Sequence, residues 1–359
     1  MLIYLSKSLF DVGFSKEHQK RINRALENIL RSNWEGKHLV HANFDTLNKL
    51  REQKLSNDSK SVILNICNNY SLLDYSKIKH FVYVVPEENT LELKIENDIE
   101  KYCISVDYFQ NSDLLQESRI LCEHLNDAKL FQLICNYFVK KENIGNIALR
   151  FEPELGGGAT ICDCFEKHVI NRNKFCLAFS DNDKRYPNAL IGGTLEKLNA
   201  VDINGNIFCK IIEIDSHEIE NLVPFNYLND IRTIHHQQKG INFIESIRNS
   251  SSCELLKYFD IKKGICKKQI NNCPEYLSYA EQLIPFCETI ENISEIEDKA
   301  EGFSVIPPIG KIVKDFIEKS DLLNSKEPEF LSFQELEWDK IGSNFLYWAC
   351  SRNLEALNI

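Results

Sequence analysis

Three acidic signals fall within about 60 residues of one another in this sequence. The first is Arg119-Ile120-Leu121-Cys122-Glu123-His124-Leu125-Asn126-Asp127, an apolar run that delivers Glu123 and, four residues later, Asp127. The second is Glu154-Leu155-Gly156-Gly157-Gly158-Ala159-Thr160, a flexible glycine turn. The third is the apolar run from Phe175 to Ser180, which closes on Asp181-Asn182-Asp183. Carboxylates gathered at one edge of a sheet suit a hard divalent cation, because Mg²⁺ and Mn²⁺ take oxygen ligands. The chemistry expected of such a cluster is metal-dependent attack on a phosphodiester.

Each signal also has a plainer explanation. Asp127 falls in the first turn of an expected helix, where the helix dipole alone favours an acid. Asp-x-Asp is common in loops that turn back to solvent. The order of strand–Glu, strand–glycines and strand–Asp-x-Asp carries more weight than any one of them. Lys184 and Arg185 directly follow Asp183; they suit a phosphate, and equally they balance the acids. Gly156, Gly157 and Gly158 let backbone amides approach a phosphate closely, or simply make a tight turn. In the polar cluster Asp215–Asn221, Glu220 is the preferred additional ligand, with Glu218 behind it; both also read as solvated loop acids.

The surrounding pattern must position these groups. Residues 113–230 alternate strand and helix as parallel βαβ units do. Strands are expected at Arg119–Cys122, Ile147–Phe151, Phe175–Ser180 and Phe208–Ile214. Helices are expected at Asp127–Lys140, Ala159–Ile170 and Thr194–Leu198. Glu123, Asp181 and Asp183 then project from the carboxyl edge, where ligands bind in parallel sheets. Residues 1–112 read as an α/β accessory module, with a helix at Lys16–Arg31, β-like runs at Ser61–Ile66 and His80–Val85, and a turn at Pro86–Asn89. Residues 231–359 read as mainly helical, with helices at His235–Arg248, Cys253–Phe259, Tyr276–Ile290 and Phe345–Leu357.

Residues 113–230 resemble the Toprim (topoisomerase–primase) domain, closest to the branch found in overcoming-lysogenization-defect nucleases and related bacterial defence proteins. That pattern is a glutamate ending the first strand with a second acid four residues on, then a glycine-rich turn, then Asp-x-Asp ending the third strand. Glu123, Asp127, Gly156–Gly158, Asp181 and Asp183 occupy those places. The chain departs from the pattern at His124, where glycine is usual, and in an insertion-like stretch from Lys184 to Thr194. The resemblance implies a mostly parallel Toprim-like sheet with flanking helices. It also implies that Glu123, Asp127, Asp181 and Asp183 hold one or two Mg²⁺ or Mn²⁺ ions, and that the chain acts in defence against phage or other foreign DNA.

The bulk properties bound the rest. At 359 residues, 43% hydrophobic and 26% charged, the chain has the composition of a soluble globular protein. Its net charge of -11 supplies no general basic field, so nucleic acid must be met by a local basic patch, a bound cation or a partner. Thirteen cysteines, odd in number and scattered through apolar runs, point to a reduced, cytoplasmic setting. No apolar stretch approaches the roughly 18 residues of a membrane span. Arg119-x4-His124 has the spacing of a ribonuclease motif that belongs on a helix, whereas here it crosses a strand and its turn. Neither His235-His236 nor Cys162-x-Cys164 has zinc-site spacing. Gly310-Lys311 lacks the earlier P-loop glycine and is followed by Ile312, so no ATP site is expected. Trp338, Tyr347 and Trp348 read as core. The leading expectation is a metal-dependent nuclease on DNA rather than RNA, working with an ATPase or sensor partner or as an oligomer. The alternative is a non-catalytic assembly or nucleic-acid-binding subunit with a degenerate Toprim fold.

Overall fold

The computed structural model describes residues 1–10, 14–72, 77–231 and 237–354. The first third forms a five-stranded sheet from β1 (Leu2–Leu5), β2 (Leu39–His41), β3 (His80–Val85), β4 (Leu91–Glu96) and β5 (Ile99–Ser105), in the order β2-β1-β3-β5-β4. Only β4 runs antiparallel to its neighbour. Three helices accompany it: α1 (Lys16–Trp34), α2 (Phe44–Arg51) and α3 (Asn57–Asn68). Each begins at a side chain that accepts a backbone N–H, namely Ser15 from His18, Asn43 from Thr46 and Ser56 from Ser59. The β-like reading of Ser61–Ile66 is thereby corrected. The run lies inside α3, where Ser59, Val62, Ile63 and Ile66 are buried at helical spacing. A short apolar run fits strand or helix equally well, and the Ser56 cap decides it.

Residues 119–214 supply β6 (Arg119–Cys122), β7 (Ile147–Leu149), β8 (Glu152–Leu155), β9 (Cys176–Asp181) and β10 (Cys209–Ile214). The second sheet is all parallel, in the order β10-β9-β6-β8. Its crossovers include α4 (Leu125–Lys141), α5 (Ile161–Asn171) and α6 (Gly193–Asn199). Phe131 of α4 stacks on Phe179 of β9 at 4.3 Å, which seats that helix on the sheet. The expected strand Ile147–Phe151 is corrected. β7 stops at Leu149 and pairs antiparallel with Cys350–Arg352, outside this sheet. Its place is taken by β8, which is largely solvent-facing and therefore has no apolar signature. Pro153 is tolerated there because β8 is the edge strand.

The last third is helical, with one small two-stranded antiparallel sheet pairing Ile265–Cys266 with Ser304–Ile306. The helix expected from His235 is described from Gln238 to Arg248; its first two positions, the His235-His236 pair, lie outside the described residues. Cys253–Tyr258 is a 3-10 turn, and the helix expected at Tyr276–Ile290 is Pro274–Leu283 followed by a turn at Pro285. The last expected helix is displaced: it spans Ser332–Ala349 and gives way to the strand paired with β7. This helix lies along α4, where Gly342 passes so close that a Cβ there would come 2.6 Å from Phe138 Cβ. Trp338, Tyr347 and Trp348 are buried in a core running from Met1 to Cys350. The fold is α/β with mostly parallel sheets. Among the described residues no helix is long and apolar enough to cross a membrane.

Candidate functional site

The all-parallel sheet brings four strand ends to one edge. β6 leads into Glu123, β8 into Gly156, β9 ends on Asp181, and β10 leads into Asp215. α4 starts two residues after Glu123, and its first turn holds Asp127. The His124 N–H donates to Asp127 Oδ2 at 2.8 Å, and the Asp127 N–H donates to the His124 carbonyl at 3.0 Å. Asp127 is therefore a helix-capping acid as well as a member of the edge. Burial pushes its carboxyl above the usual range, opposed by the hydrogen bond from His124. Burial also raises Glu123, and Asp127 and Asp183 add to it. His124 sits in extended backbone, φ -134° and ψ 155°, a conformation open to any residue, so the missing glycine does not distort this turn.

Asp181 is the most perturbed of the set. Its Oδ1 is buried with no hydrogen-bond partner. Burial, then Asp127, with contributions from Glu218 and Glu123, push its carboxyl well above the ordinary aspartate value; Lys262 acts in the opposite sense. The next residue staples the loop. Asn182 donates Nδ2 to the Asp215 carbonyl at 2.7 Å and accepts the Lys184 N–H at 2.9 Å, while its carbonyl accepts the Gly192 N–H at 2.8 Å. Asp183 has left-handed backbone, φ 56°, is exposed, and donates its N–H to the His217 carbonyl at 3.1 Å. Gly192 passes behind it; a Cβ there would lie 2.7 Å from Asp183 Cβ.

Tertiary folding adds groups that the sequence did not single out. Lys262 Nζ lies 3.0 Å from Glu220 Oε2 and 3.2 Å from Glu218 Oε2. Burial works against its charge, but Glu220 and Glu218 outweigh that and hold the ammonium above the ordinary lysine range. Lys262 also acts electrostatically on Glu123, Asp127 and Asp181, which makes it the common cation of five acids. Glu220 is buried and pushed up by that burial against the pull of Lys262. Behind them His217 Nε2 lies 3.6 Å from Asp260 Oδ2, and both side chains are almost fully buried. Burial raises the Asp260 carboxyl, but His217 and the Lys263 N–H, 2.8 Å from Oδ1, bring it below its usual value. Nothing local marks Lys262, which reads as half of an ordinary Lys-Lys pair.

The helix Ser332–Ala349 holds the loop that carries these groups. Glu337 accepts hydrogen bonds from the Asp215 N–H, the Ser216 N–H and the Ser216 hydroxyl. Gln334 Nε2 donates to the carbonyls of Asn221 and Val223 at 2.9 Å, and Trp338 Nε1 to that of Leu222 at 2.7 Å.

The glycines sit at the same edge for a packing reason. The Gly156 N–H donates to the Cys122 carbonyl at 2.8 Å, and a Cβ on Gly156 would come 2.6 Å from Ile161 Cα. Gly157 and Gly158 take left-handed backbone, at φ 58° and 62°. Lys184 is fixed through its backbone by Asn182, and Arg185 lies exposed on the loop, acting electrostatically on Tyr276. The residue pair Arg119 and His124 divides between a strand and a turn, and the Arg119 guanidinium pairs with Glu152. A cleft of about 520 Å³ along α4, lined by Lys129, Gln132 and Tyr137 among others, contains none of the acids.

Among the described residues, one group of three His, Cys, Asp or Glu side chains has ligand atoms all within 4.8 Å of one another: His217, Glu218 and Asp260. Glu123, Asp127, Asp181 and Asp183 share the edge with a wider spread. Comparison of the chain with protein families, curated proteins and solved structures returns no match.

Proposed function

We propose that this chain is a divalent-metal-dependent phosphodiesterase with a Toprim-like catalytic core, cleaving or nicking DNA. The observation that carries the reading is Asp181: a carboxylate oxygen buried without a partner, among Asp127, Glu123 and Glu218, facing one lysine. Like charges gathered at one poorly solvated edge need a second cation or a proton. The donor set is all oxygen, which fits Mg²⁺ or Mn²⁺, and Glu123, Asp127, Asp181 and Asp183 would hold it, with Glu220 beside them. The wide spread of these acids suits two ions rather than one. Bound there, the metal would supply an activated water and stabilise charge on the leaving oxygen.

The chain's own residues do the remaining work. Asp127 is oriented by the His124 N–H. Asn182 fixes the loop so that Asp181 and Asp183 stay at the edge. Lys262 keeps the acids together and offers an ammonium to a phosphate. The glycine turn presents backbone near the same edge, and Lys184 and Arg185 supply local positive charge on an otherwise acidic protein. The resemblance to defence nucleases supports action on foreign DNA in the cytoplasm. Without a P-loop in the sequence, an ATPase or sensor partner supplies recognition.

The test is cleavage of plasmid DNA and of RNA with Mg²⁺, Mn²⁺ or EDTA, alongside an Asp181→Ala/Asp183→Ala variant. Metal-dependent nicking by the wild type alone supports the reading. Cleavage that persists in EDTA or in the variant sinks it, and no cleavage of any substrate favours an assembly subunit.

A further inference from the structure

We propose a second, separate metal site formed by His217, Glu218 and Asp260, which takes a transition ion of the Mn²⁺–Zn²⁺ class rather than Mg²⁺. The inference does not rest on the nuclease reading. Three ligand atoms lie within 4.8 Å of one another. A point therefore exists within about 2.8 Å of all three (4.8 Å/√3), so side-chain movements of about 0.6–0.8 Å or less reach the roughly 2.0–2.2 Å bonds of Zn²⁺. His217 supplies the independent sign of a ligand. It is 2% exposed, yet neither ring nitrogen has a hydrogen-bond partner. Its nearest ionic neighbour, Asp260 Oδ2 at 3.6 Å, is beyond hydrogen-bond length, and that buried oxygen accepts no hydrogen bond. A buried imidazole with both nitrogens unsatisfied is costly, and a bound ion removes that cost.

The imidazole nitrogen sets the metal class. One nitrogen with two carboxylate oxygens suits Zn²⁺, Mn²⁺ or Co²⁺, whereas Mg²⁺ demands oxygen ligands and keeps its waters. The backbone is already arranged to hold such a ligand set. The His217 N–H donates to the Lys257 carbonyl at 2.9 Å, and its carbonyl accepts the Asp183 N–H. Asp260 is anchored by the Lys263 N–H to Oδ1, which leaves Oδ2 to the site. Two lysines are the local competitors. Lys262 Nζ is 3.2 Å from Glu218 Oε2 but keeps Glu220 when Glu218 turns to the ion. Lys263 Nζ, 3.9 Å from Asp260 Oδ2, belongs to an exposed side chain that moves away freely. Occupied, the site would join the Asp215–Leu222 loop to the 260–264 turn and so brace the Asp183 backbone.

The test is equilibrium dialysis of the whole chain against Zn²⁺, Co²⁺ or Mg²⁺ with metal analysis, together with the visible spectrum of bound Co²⁺. The expected result is one Zn²⁺ or Co²⁺ retained per chain in the presence of excess Mg²⁺. His217→Gln and Asp260→Asn should each weaken it by about 100-fold or more, while Asp181→Ala/Asp183→Ala keeps it. Melting curves in EDTA identify the variants that fold, and Glu218→Gln replaces any that does not. No transition-metal uptake by the wild type overturns the proposal. So does uptake that survives His217→Gln and Asp260→Asn, and so does uptake abolished only by the Asp181/Asp183 substitutions. The last two outcomes leave the carboxylate-edge reading intact, and nuclease assays judge that reading separately.

Discussion

At the scale of single residues, Asp181 concentrates the conflict between stability and function. Its carboxyl is raised by burial and by neighbouring acids, so its contribution to stability is present below about pH 3.8 and is lost as pH rises through the higher folded value. At neutral pH without metal the ionised side chain opposes folding. Asp181→Asn should therefore raise the melting temperature of the metal-free protein by about 2 °C at pH 8 and by less at pH 5. The same variant should lose nuclease activity and the stabilisation by Mg²⁺. A variant that melts lower than wild type at pH 8 in EDTA would show that Asp181 is satisfied as it stands. Asp181 and Asp183 were visible in the sequence because an apolar strand runs straight into them. The isolation of Oδ1 was not, since it depends on which side chains fold over it.

At the scale of elements, strand-end placement follows from local pattern, but element identity follows it unevenly. β6, β9 and β10 are apolar runs and were readable; β8 carries Glu152, Pro153 and Glu154 and was not. An edge strand needs no buried face, so hydrophobicity gives no clue to it. The glycine turn after β8 is a joint rather than a spacer. Gly156→Ala would drive a methyl group into Ile161, including its backbone, and should cost roughly 1–3 kcal/mol in urea unfolding. The equivalent change at Gly158, where a Cβ meets nothing within 4 Å, meets only backbone strain from its positive φ and should cost less. Equal losses at the two positions would contradict the packing role assigned to Gly156.

At the scale of the whole molecule, two long-range contacts tie the three regions together. Glu100 of β5 accepts from the Tyr102 hydroxyl at 3.0 Å and pairs with His80 at 2.8 Å and with Lys210 of β10 at 3.3 Å, which joins the two sheets. The contact with His80, with Lys210 assisting against burial, holds Glu100 down to about 2. A depressed carboxyl stabilises above its unfolded value near 4.5 and ceases to do so as pH falls toward 2. Glu100→Gln should thus cost roughly 1–3 kcal/mol at pH 7, with the gap to wild type closing between pH 4.5 and 2 in thermal melts. A gap independent of pH would assign the loss to packing. The second contact is Glu337, which holds Asp215 and Ser216 from the C-terminal helix. Glu337→Ala should cost on the order of 2–3 kcal/mol by leaving buried donors unpaired, and should weaken metal binding although it touches no proposed ligand. Unchanged metal affinity in that variant would uncouple the helix from the site.

The sequence by itself determined the α/β alternation, the strand ends that carry Glu123, Asp181 and Asp183, and the first-turn position of Asp127, because periodicity and chain adjacency are local properties. Only the tertiary structure decided that Lys262 is the cation among these acids, that His217 and Asp260 meet, and that the helix Ser332–Ala349 holds their loop. These residues lie far apart along the chain on turns with no repeating pattern. Their chemistry arises from burial and from neighbours brought together by packing, and neither is written in the spacing of residues along a chain.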